Sequence, residues 1–243
     1  MKNPFRQGSL EIDFSTPAFG PPLAALAYST GIFFRQLPFL AAATAVIYLP
    51  GTLLVQGIES LLEIPVNGLT AYLLSDLVDL VFGSMAVPAV VFGLWALFRS
   101  GRAASLRESL RWGQRQWRRT LLVQLQAEIT ILLWTALLIV PGVVAMVRLV
   151  FTGVIVAVEG DRTTGVLARS RELARGRGWR IFFAFLPLAL AEFALSMLVL
   201  EALVKAGVGR ITLAAAETVL AIANQWITVL SLVIYLGLTA AER

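Results

Sequence analysis

Residues 136–180 read ALLIVPGVVAMVRLVFTGVIVAVEGDRTTGVLARSRELARGRGWR. An apolar run meets Pro141-Gly142, resumes around a single Arg148, and ends at Glu159-Gly160. It then gives way to an arginine-rich amphipathic stretch that closes on Trp179-Arg180. Two apolar runs joined by so short a break describe a helical hairpin with lipid as its solvent. The clustered positive charge at one end sets the side of the membrane on which that end stays.

The rest of the chain extends the pattern. Of its 243 residues 58% are hydrophobic and 14% charged, against roughly 45–50% and about 25% in soluble domains. The excess lies in long runs with short connections, which reads as a single integral membrane domain over 1–243 with an N-terminal cytoplasmic segment at 1–21. A helical span takes about 20 mostly apolar residues. Six such stretches are legible, at about 38–58, 70–98, 120–140, 143–158, 181–204 and 211–240. Pro50-Gly51 is expected to kink or end the first of them, and Pro141-Gly142 to form the tight turn between the third and fourth. The first 22 residues contain no apolar core of a cleavable signal, so the first span is expected to serve as an uncleaved signal anchor.

Charge orients these spans. Residues 99–119 hold seven arginines and residues 162–180 hold six, whereas 59–69 carries only Glu59 and Glu63, and 141–142 is uncharged. An even number of spans separates the two basic segments, so both fall on one side, expected to be the cytoplasm, with both termini there too. Lys205 and Arg210 are the minority on the other side. The localisation this implies is multi-pass, in a bacterial inner membrane.

Three stretches preceding hairpins resemble one another. In 105–118, Leu106, Leu110, Gly113 and Trp117 share a helical face, Arg107, Arg111, Arg115 and Arg118 fall largely opposite, and Ser105 with Glu108 forms a capping-box pattern. In 163–180, Val166, Leu167, Ser170 and Leu173 repeat the idea. A shift of 62 positions superimposes Arg107, Arg115, Trp117 and Arg118 on Arg169, Arg177, Trp179 and Arg180. Residues 22–35 are a degenerate copy ending in Phe34-Arg35. The expected fold is therefore an all-α polytopic membrane protein: six transmembrane helices as three hairpins, each preceded by an interfacial amphipathic helix.

At Pro141-Gly142, Arg148, Glu159-Gly160, Ala168-Arg169-Ser170, Leu173, Gly176 and Trp179 the chain resembles the membrane-domain family associated with glycerophosphodiester phosphodiesterases, and is similar to the YciC-like proteins of bacterial inner membranes. The resemblance covers about 40 residues in order. It implies a membrane fold in a lipid-related context and no reaction, because in fused members the phosphodiesterase chemistry belongs to a separate soluble domain.

With neither Cys nor His in the chain, disulfide and thiol chemistry, a Ser-His dyad and a His-ligated zinc site are excluded. The glycines form no nucleotide-binding pattern. No catalytic, cofactor-binding or metal-binding set is legible, and the chain reads as non-enzymatic. Ionisable residues inside spans cost about 2.5–3.5 kcal/mol each at the bilayer centre, so each is a candidate by default. Asp76, Asp79, Glu128, Glu192 and Glu217, with Arg148 as the sole basic residue within a span, form one candidate set: a polar cavity for a headgroup, ion or proton. Arg148 is assigned to the outer half of the fourth span. Arg107, Arg111, Arg115, Arg118, Arg169, Arg175, Arg177, Arg180, Trp117 and Trp179 form a second set, expected to contact lipid headgroups of the anionic inner leaflet. Glu159 reads as a structural anchor, pairing with an arginine of 162–180 or capping that helix, and Ser170 as a packing residue. Two functions follow: a scaffold or accessory factor that holds anionic lipid or a protein partner through its Arg-rich helices, or a transporter or lipid mover built on Arg148 and the acids. Nothing in the sequence calls for nucleic acid.

Overall fold

The computed structural model describes residues 22–65, 68–101, 104–160 and 165–241. The segment at 1–21, and Arg102 and Arg162 of the basic clusters, lie outside the described residues. Those described are almost entirely helical: α1 (Pro22–Arg35), α2 (Leu37–Leu61), α3 (Leu69–Ser100), α4 (Leu106–Leu137), α5 (Ile139–Leu149), α6 (Thr152–Glu159), α7 (Val166–Ala174), α8 (Gly178–Lys205) and α9 (Arg210–Ala241). Among the described residues six helices are long and apolar enough to cross a membrane: α2, α3, α4, α5 with α6, α8 and α9. Each overlaps one of the six expected stretches, and α4 begins well before the third.

The differences are local. Pro50 sits inside α2 without ending it, and the ring of Phe82 occupies the space where a side chain on Gly51 would project. The turn between α4 and α5 is made at Leu138, extended at φ −163° and ψ 141°. Pro141-Gly142 is not the turn; it lies in the first turn of α5. Proline is tolerated there because its missing N–H would have no helical partner. Gly142 lets α5 close on α4, since a β-carbon on it would collide with Thr135. The fourth span also breaks, at Val150-Phe151 between α5 and α6. The buried Ser170 of α7 bridges that break: its hydroxyl donates to the Arg148 carbonyl (2.8 Å) and accepts from the Phe151 N–H (3.3 Å). Ser170 is thus a packing residue.

The expected amphipathic stretch at 105–118 is not a separate helix. It is the first half of α4, which runs unbroken for 32 residues, about 48 Å at 1.5 Å per residue. Its capping box is formed, with the Glu108 N–H donating to Ser105 Oγ and the Ser105 N–H to Glu108 Oε2 at 2.9 Å. The face of Gly113 and Trp117 packs on α3: the Trp117 indole donates to the Val81 carbonyl at 2.8 Å, and Gly113 lies against Met85 and Ala89.

α9 occupies the middle, packed on α2, α1 and α8, while α3 pairs with α4, α2 and α6. Phe151, Ile155, Leu173, Leu230 and Leu232 are fully buried, so the 136–180 segment and α9 supply much of the core. Only 11% of the apolar windows of α4 and α8 is buried, against 56% for α9. Their exposed leucines suit lipid contact, where hydrocarbon takes the place of a protein partner.

Polar residues fix α2 against α9. Thr52, Gln56 and Glu59 recur at helical spacing on α2. Thr52 Oγ meets Thr218 Oγ at 3.2 Å, Gln56 Nε2 donates to Glu217 Oε1 at 3.1 Å, and Arg210 Nη1 pairs with Glu59 Oε2 at 2.9 Å. Arg210 also donates to the Ile64 carbonyl at 2.9 Å. Glu59, read from the sequence as a loop charge, is 1% exposed inside α2.

Candidate functional site

A cleft of about 890 Å³ opens where α3, the basic half of α4 and the end of α6 meet. Helical spacing builds it. Phe92, Trp95 and Arg99 recur on one face of α3, and Trp112, Arg115, Arg119 and Leu122 on one face of α4. Gln116, 7% exposed, lies on the same side of α4, and Glu159 and Gly160 close the cleft from α6.

Backbone and ring contacts hold these walls. The Trp112 indole stacks on Phe92, with centroids 5.1 Å apart, and donates to the Ala157 carbonyl at 3.1 Å. The Arg119 guanidinium donates to the carbonyl of Gly160. Gly160 adopts φ +56°, a left-handed value that ends α6 and that other residues adopt only with strain. The guanidinium of Arg99 lies over the Trp95 ring at 5.0 Å, a cation–π contact. The Tyr235 hydroxyl of α9 donates to Glu159 Oε1 at 2.8 Å, tying the floor of the cleft to the central helix. This hydrogen bond anchors Glu159 to α9.

Among the described residues, four arginines and one glutamate line this space. Arg99, Arg115 and Arg118 are exposed and form no ion pair among the described residues. Guanidinium forks presented into a walled, partly apolar cleft can bind phosphate or carboxylate through paired N–H donors.

The expected headgroup residues separate accordingly. Arg115 and Arg118 line the cleft. Arg107 and Arg111 project from α4 outside it, and Arg175, Arg177 and Arg180 flank the start of α8. Arg169 pairs with Glu172 at 3.1 Å. Trp179 is 75% exposed and stacks on Phe183. Trp117 departs from the expectation, since its indole is spent on α3 rather than directed outward. Arg99, Arg119, Trp95 and Trp112 were not singled out from the sequence. Their signal was the shared three- and four-residue spacing on two helices.

The expected polar cavity divides. Asp79 lies within electrostatic reach of Tyr48, Asp76, Glu192 and Glu217, and Glu128 lies within that of Asp76. Arg148 does not join them. It ends α5 beside α7 and the start of α8, exposed and without an ion pair among the described residues. The break at Val150-Phe151 and the docking of α7 there set its position, at the basic end rather than in the outer half of a straight span. Arg210 pairs instead with Glu59, an acid outside that set. Among the described residues no group of three or more acidic side chains is arranged to hold a metal ion.

No curated protein and no solved structure matches the chain. A family model does, over residues 13–241, nearly the whole length, and the chain belongs to the family described as domain of unknown function DUF7847.

Proposed function

We propose that this protein is a non-catalytic scaffold or accessory factor of a bacterial inner membrane, which engages anionic lipid through its arginine-rich segments. The observation that carries this reading is the convergence of Arg99, Arg115, Arg118 and Arg119 on one cleft, with Glu159 the one acid among its described lining residues. Basic residues close to a membrane surface are each worth about 1 kcal/mol toward anionic lipid. In this reading the basic segments face the cytoplasm, the six spans form three hairpins, and the stretches at 22–35, 105–118 and 163–180 mark where each hairpin enters the interface. The resemblance of 141–179 to the membrane domains associated with glycerophosphodiester phosphodiesterases and to YciC-like proteins favours the same lipid-related context.

The test is lipid selectivity in mixed bilayers. Spin-labelled phosphatidylglycerol is expected to be restricted at the protein surface more than spin-labelled phosphatidylcholine, and the preference is expected to fall when Arg107, Arg111, Arg115, Arg169 and Arg175 become Gln. An unchanged preference sinks the proposal. The transport reading loses its basic member, because Arg148 stands apart from the acids, and no observation favours it over the first.

A further inference from the structure

We infer that the cleft between α3, α4 and α6 is a site for one phospholipid molecule, whose headgroup carries two or more negative charges and whose acyl chain lies along α4. This deepens the lipid reading above and rests on it.

The headgroup argument is one of charge and shape. Among the described lining residues, Arg119 is engaged by the Gly160 carbonyl, while Arg99, Arg115 and Arg118 are exposed and form no ion pair, an excess of positive charge that a singly charged phosphodiester leaves largely uncompensated and a phosphomonoester offsets better. Arg99 comes from α3 and Arg115 from α4, so an anion between them is approached from two helices, which suits paired N–H donors to separate phosphate oxygens. Trp95 and Trp112 form the walls behind the charges, as amphipathic rings do at headgroup depth.

The acyl-chain argument is one of continuity. Leu122 is both a cleft residue and the first of an exposed apolar row on the same face of α4. The row continues through Leu125, Ile129 and Leu132, which are 40%, 50% and 68% exposed. A groove that begins at arginines and runs on as leucine and isoleucine matches the order of groups along a phospholipid, and a soluble phosphate ester has no use for the second half.

The test is native mass spectrometry of the detergent-solubilised full-length chain titrated with lipids of identical chains. One phosphatidic acid is expected to be retained about tenfold more tightly than phosphatidylglycerol, and R99Q with R115Q is expected to abolish that difference with a loss of about tenfold or more in phosphatidic acid affinity, the scale of a charged hydrogen bond. R99K with R115K keeps the charge and removes the forks, and is expected to lose most of the discrimination. The comparison set is R107Q, R111Q, R171Q and R175Q, all outside the cleft. If both sets weaken binding equally, overall charge governs and the single site is overturned while the lipid reading survives. If neither set matters, both fall. Glycerol 3-phosphate at the same concentration is expected to leave the lipid bound, and its displacement of the lipid overturns the acyl-chain half of the inference.

Discussion

Gly113 and Arg210 bear opposite relations to their surroundings. A β-carbon on Gly113 would meet the Met85 carbonyl at 2.5 Å and Ala89 Cβ at 2.9 Å. Gly113→Ala should therefore force α4 off α3 at a cost of about 1–3 kcal/mol, as overpacking does. Gly57→Ala, where nothing lies within 4 Å, should gain up to about 1 kcal/mol from helix propensity; melting of the purified protein compares the two. Arg210→Ala removes the partner of a carboxylate that is 1% exposed. Stranding a buried charge typically costs about 3–5 kcal/mol, so this substitution should lower the melting temperature far more than Lys205→Ala, whose ion pair with Glu201 is exposed. At this scale the sequence was legible where partners are local, as in the capping box of Ser105 and Glu108. It was silent on Glu59 and Arg210, which lie 151 residues apart and each read as a charge at the edge of an apolar run.

α4 shows how an element can be half readable. Its apolar stretch was evident from length and composition, and the amphipathic face before it from spacing. The burying partner of that face was not, because leucines and tryptophans at helical spacing fit a lipid surface and a neighbouring helix equally well. Trp117 and Gly113 resolve it in favour of α3. The break between α5 and α6 was hidden for a related reason: Val150-Phe151 carries no helix-breaking residue, and the interruption depends on Ser170 from another element. Ser170→Ala should leave the Phe151 N–H and the Arg148 carbonyl without that hydroxyl, costing about 1–3 kcal/mol. Hydrogen exchange should rise at Phe151 and Thr152 before it rises in α9. Equal protection in the variant and the parent protein would show that the break is held by packing alone.

Across the whole molecule the basic helix ends gather around α4, α6, α7 and the start of α8, while α2 ends, and α8 leads into α9, at the opposite end. The chain contains no cysteine, so single cysteines report on sidedness directly. R107C and R175C should react with an impermeant maleimide only after the membrane is opened, and L62C and A206C in intact cells. The reverse pattern would overturn the cytoplasmic placement of the arginines. The number of spans was legible because each is a long apolar run. The cleft was not, because it depends on three helices meeting at Trp112 and Gly160, a contact that spacing within any one helix leaves undetermined.

The ladder joining α2 to α9 also bears on how the protein is made. Gln56 and Glu59 enter the membrane with α2, but Glu217 and Arg210 are synthesised more than 150 residues later. At roughly 5–20 residues per second, α2 waits on the order of 10–30 s with polar groups that have no permanent partner. A nascent chain stalled before Arg210 should therefore hold α2 loosely, open to extraction or to an insertion factor, and completion of α9 should be the event that commits the first span to the bilayer.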